Sequence, residues 1–161
     1  LSPEKDQITT IVWWSKEKGW GHWIFGEDQK QNFQKVWHYS RNVVSYNGIR
    51  FDERFLKHHL KVQSHSKHID LMNLAHKKEL KGGLKTICQK LEIGSPGYLD
   101  QTDGREAIHL WNKYQKTNDE NSLKRLLHYN AWDVVLTYRL HQNLNGQSIL
   151  TIEDSIPFNW V

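Results

Sequence analysis

Cysteine is nearly absent from this chain. Of 161 residues, Cys88 alone carries a thiol. An intrachain disulfide is therefore excluded, and a reducing, cytoplasmic setting is expected. Three prolines and ten glycines leave no room for a long flexible linker. No internal repeat and no low-complexity tract is present, so one domain spanning 1–161 is expected. No apolar run approaches the ~20 residues of a membrane span. No charged-then-apolar leader opens the chain, so no secretion signal is expected. A large charge imbalance is also missing. Lys plus Arg outnumber Asp plus Glu by 22 to 18, giving +4, which is compatible with a polyanionic partner without requiring one. The histidines His58, His59, His65, His68 and His76 have no paired cysteine spacing, and no zinc site is expected from them.

What is present reads as a folded α/β domain. Hydrophobic residues make up 37% and charged residues 25%, the balance of a chain that builds a core. "ITTIVWW" (8–14) is β-branched and aromatic, and "WGHWIFG" (20–26) alternates, so the two predict a hairpin. Trp20, His22 and Ile24 face one way and Trp23 and Phe25 the other. Phe33, Val36 and Trp37 mark a helix within 27–42. "VVSYN" (43–47) predicts a buried strand ended by turn chemistry at Asn47-Gly48. A helix follows from Phe51, with Phe55, Leu56 and Leu60 on its stripe. "KHIDL" (67–71) predicts a short strand running into another helix, and Gly82-Gly83 breaks the chain. Leu84, Ile87, Cys88 and Leu91 form an i, i+3, i+4, i+7 stripe. "GSPGY" (94–98) reads as a loop, followed by helices over 105–116 and 121–144. "SILTI" (148–152) predicts a further short strand. Strands alternating with helices, then a helical second half, predict a mixed sheet flanked by helices. Most of the eight tryptophans lie in apolar-periodic segments and are assigned to the core.

Three carboxylates stand where chemistry is possible. Asp133 ends "HYNAWD". In an unbroken helix the residue four before it lies about 40° away on the same face, whereas the residue five before lies about 140° away. Tyr129 thus shares a site with Asp133, while His128 does so only if the helix begins or kinks between them. The bland alternative is a half-buried tyrosine beside a surface aspartate. Asp52 follows an apolar strand and the Asn47-Gly48 turn, a position where α/β sheets gather ligands. It is equally a helix-capping position. Asp70, in "HIDL", sits where a strand meets a helix, with an N-cap role at least as well supported as a chemical one.

Together the three pieces are far more specific. Asn47, Phe51, Asp52, Phe55 and Leu56, then His68 to Leu71, then Tyr129 to Val134 resemble the DEDD 3′–5′ exonuclease superfamily. The closest likeness is to its ribonuclease-H-like exonuclease branch, similar to the proofreading domains of family-B DNA polymerases. "GGLKTICQKLEIG" (82–94) also looks like that branch's helix between the second and third motifs. The resemblance covers residues 1 to about 144. It implies a ribonuclease-H-like fold in which four carboxylates hold two Mg²⁺ or Mn²⁺ ions. Asp52 and Asp133 correspond to two of those ligands. Tyr129 would orient the attacking water, and Asn47, Phe51 and Asp70 would lie near the nucleotide. Nucleic-acid ends are the implied substrate, with fusion or association with a helicase or polymerase as a possible setting.

One motif departs from the pattern. The family's first carboxylates come as Asp-x-Glu, a spelling found nowhere in residues 1–161. In the family that motif precedes "LSPEKDQI", so a truncated domain lacking its first strand is expected. Two alternatives stay open: a domain that binds nucleic acid without cleaving it, or a strand supplied by "SILTIEDS", with Thr151 and Glu153 in the motif's place. A small helical module with a Trp-rich surface is the unrelated reading.

Overall fold

A computed structural model describes residues 1–97 and 104–160. Two strands, β1 (Thr10–Ser15) and β2 (Gly19–Ile24), form the expected antiparallel hairpin, with Thr10 opposite Ile24 and Ser15 opposite Gly19. Then come α1 (Lys30–Tyr39), β3 (Val43–Ser45), α2 (Asp52–Leu60), β4 (His68–Asp70), α3 (Leu71–Lys77) and α4 (Leu84–Lys90). Two longer helices follow, α5 (Gly104–Thr117) and α6 (Glu120–Leu144). β3 and β4 pair in parallel, with Ser45 opposite Asp70. The parallel and antiparallel pairings of a mixed sheet are both present, divided between two two-stranded sheets. Four strands exclude the purely helical module. The end of the 94–98 loop, Tyr98, lies outside the described residues.

The hairpin is packed on both faces, as its alternation predicts. Ile24, with Val12 and Trp20 beside it, meets Leu110, Trp111, Leu126, Leu127 and Trp160. Trp23, with Ile11 and Trp13, meets Phe33, Trp37, Leu56 and Leu60. α6 is the spine. Its first half packs on α5 and the hairpin, and its second half buries Leu136, Leu140 and Leu144 against Leu71, Ala75, Ile87 and Cys88. Every tryptophan is buried or half-buried.

The expected strand at 148–152 is a correction. This stretch has no strand pairing and leads into two 3-10 turns, Glu153–Ser155 and Phe158–Trp160. Ile152 inserts beside Trp132 and Val135, and Leu150 N–H donates to the Gln142 side chain. Apolar residues in a tail docked on a helix give the same local pattern as a strand. Glu153 is taken by Arg139 and by the Ile152 N–H, so "SILTIEDS" supplies no strand.

Candidate active site

The site is built where β3 and β4 end beside the middle of α6. Residues 45–53 make the connection from β3 to α2, and β4 staples it twice. The first staple is Asp70, 4% exposed, which accepts from Asn47 N at 2.8 Å, Ile49 N at 3.2 Å and Met72 N at 3.0 Å. It caps α3 and holds the loop at once. Three backbone amides thus occupy the buried carboxylate. Asn47 stands in the left-handed region at φ 60°, which asparagine tolerates.

The second staple was not foreseen. Ser45 Oγ lies 2.8 Å from His68 Nε2, and His68 Nδ1 lies 2.9 Å from Glu53 Oε2. Lys57 completes the chain at 2.9 Å from Glu53 Oε1. Burial works to raise the Glu53 carboxyl, yet hydrogen bonds from Ser64, His68 and Lys57 outweigh it and hold the group down at about 2. Ser45 in turn presses on Gly48, where an added Cβ would lie 2.1 Å from the serine oxygen and 3.3 Å from Asp52 Oδ2. His68 and Asp70 are two apart on one strand, so both side chains point the same way. "HID" carried that period, but the distant partners Ser45 and Glu53 are invisible in one sequence.

Asp52 opens α2, one residue after the cap position held by Phe51. It is exposed as a residue while its carboxylate lies against the Gly48 loop. Burial pushes its carboxyl up to about 6, its own backbone N–H draws it partly back, and the charges of Asp70 and Asp133 add to the rise. Solvent trims the burial effect at an exposed residue. Asp133, eighty-one positions away in the chain, is the smallest of these contributions. Phe51, 40% exposed, sets its ring at a tilt 5.1 Å from that of Phe55.

Asp133 is half-buried on α6, its carboxyl pushed up to about 6 by burial against the pull of Lys85 and of a hydrogen bond from Tyr129. α6 runs unbroken from Glu120 to Leu144, so the helical phase holds. Tyr129 shares the site with Asp133. His128 turns away and accepts from Trp132 Nε1 at 2.8 Å, and burial lowers its pKa. Asn130 reaches Thr10 Oγ1 at 2.6 Å and ties α6 to β1. Lys85, on α4, lies 4.9 Å from the Tyr129 ring centre. Sequence reasoning passed over Lys85, although it sits inside "GGLKTICQKLEIG", and an isolated lysine carries no signal of its own.

The donors are hard oxygens, the kind that Mg²⁺ or Mn²⁺ takes. Their number is short. Among the described residues no group of three or more His, Cys, Asp or Glu side chains is arranged to hold a metal ion. Asp52 and Asp133 each supply a hard carboxylate oxygen of that kind.

Two small sheets wrapped by helices, with Asp52 opening α2 and Asp133 on α6, define an α/β domain. A family model described as the RNase H superfamily matches residues 1–145, and the chain belongs to that superfamily. Its domains are generally nuclease-like, act on nucleic acids and typically use divalent metals. No similar curated protein and no similar solved structure was found. No described helix is long and apolar enough to cross a membrane.

Proposed function

We propose that this chain is the body of a 3′–5′ exonuclease domain that removes nucleotides from nucleic-acid ends. The observation that carries the reading is the Tyr129–Asp133 hydrogen bond at a carboxylate whose charge Asp52 also feels. Asp52 and Asp133 would hold a Mg²⁺ or Mn²⁺ ion, which when bound supplies a Lewis acid for phosphodiester hydrolysis. Tyr129 holds a hydroxyl at the cleft and orients water there. Lys85 places positive charge beside Asp133, where phosphate oxygens would arrive. Phe51, half exposed at the rim, offers a ring face to a terminal base, and Asn47 stands on the loop beside it.

Two carboxylates leave a divalent ion under-compensated, and this favours a second reading: a nucleic-acid-binding or scaffold domain without cleavage. The 161-residue chain is expected to release little or no 3′ nucleotide. Adding an upstream strand that carries Asp-x-Glu is expected to give metal-dependent release, abolished by Asp133→Asn. Binding without cleavage in the extended protein would favour the second reading. Brisk release by either form that survives Asp133→Asn would refute the proposed site.

A further inference from the structure

α2 carries a stripe that the cleft does not use. Arg54, Lys57, His58 and Lys61 follow one another at i, i+3, i+4 and i+7, so they share one face. Arg54, His58 and Lys61 are exposed, and the Lys57 side chain is 46% exposed. With Pro3 and Glu4 they line an open concavity of about 460 Å³. At about 100° per residue this face lies nearly opposite Asp52, so it stands apart from the Asp52 carboxylate.

Like charges at this spacing repel one another. Here Glu4 is the one carboxylate among the described residues lining the concavity, and it accepts from the Ser2 hydroxyl. Lys57 is braced by Glu53 at 2.9 Å and Lys61 Nζ donates to the His58 carbonyl at 2.7 Å. A lysine ammonium has three donors, so each bracing contact leaves others for a ligand. Lys61 also ends α2 in the left-handed region at φ 54°, where glycine is the ordinary choice. From Arg54 to Lys61 the stripe is about 10 Å long, enough to meet more than one backbone phosphate.

We propose that this face of α2 anchors the phosphate backbone of a single nucleic-acid strand outside the cleft that holds Asp52 and Asp133. The inference rests on the nucleic-acid reading above and adds a second contact surface to it. Its test is fluorescence anisotropy of the full chain with a labelled single-stranded oligonucleotide over a salt series. The variant is Arg54→Gln with Lys61→Gln, both exposed and outside the Glu53–His68 chain. Each lost phosphate contact lowers the slope of log affinity against log salt by about 0.7, so a drop of about 1.4 is expected, with affinity at low salt weaker by about tenfold. Lys16→Gln with Lys18→Gln, on the hairpin turn, is the control and should change neither. Asp133→Asn should leave the slope intact. A slope and affinity equal to wild type in the α2 variant would overturn the anchoring surface and leave the cleft reading standing. Absence of any salt-dependent binding by the wild type would overturn both.

Discussion

Asp133 is held in a state that suits chemistry and costs stability. Its carboxyl titrates near 6 in the fold and near 3.8 in the open chain. The native state therefore binds the proton more tightly. The stability this gives is complete below about pH 4 and is lost as pH rises through about 6. At neutral pH the loss is on the order of 1–3 kcal/mol for this half-buried group. Asp133→Asn should accordingly raise the melting temperature by a few degrees at pH 7.5 and by nothing at pH 4. Thermal melts at the two pH values check this, and equal shifts at both would refute it. Tyr129→Phe removes the hydrogen bond that favours the charged carboxylate, so Asp133 should titrate higher still, as carboxyl NMR would report. At this scale the placing of Tyr129 on the Asp133 side of α6 was legible, because a helix fixes the angle between neighbours. Lys85 was not, because it arrives from another helix through contacts that no local spacing encodes.

Among the elements, β4 decides most for its size. Three residues pair with β3, cap α3 and pin the loop that leads to Asp52. Asp70→Ala would orphan the amides of Asn47, Ile49 and Met72, at a cost of about 3 kcal/mol. Urea unfolding should show it, and a loss under 1 kcal/mol would contradict the stapling role. Gly48→Ala drives a methyl into Ser45, whose short side chain has nowhere to go, and should cost about 1–3 kcal/mol. The hairpin, the helices and the cap at Asp70 were readable from period and turn chemistry. The Ser45–His68–Glu53 chain was not, since its members are spread over residues 45–68 and meet only once β3 and β4 pair.

At the scale of the whole molecule, α6 joins the hairpin half to the α3–α4 half, so the two should unfold together. Cys88, 1% exposed beneath α6, reports on this. Burial, aided by the Asp133 charge, pushes its thiol up to about 12, so alkylation of the native protein should follow global opening only. Fast modification without loss of structure would contradict this. The α/β class and its helices were legible because long amphipathic stretches declare their faces. The tail from 148 was misread because a docked apolar segment and an edge strand share one composition. The account depends most on Asp52 and Asp133 serving one cation. Mn²⁺ titration followed by electron paramagnetic resonance tests this directly. Weak, saturable binding by the wild type, lost in Asp52→Asn and equally in Asp133→Asn, is the predicted result. Binding that either single variant leaves unchanged would contradict it.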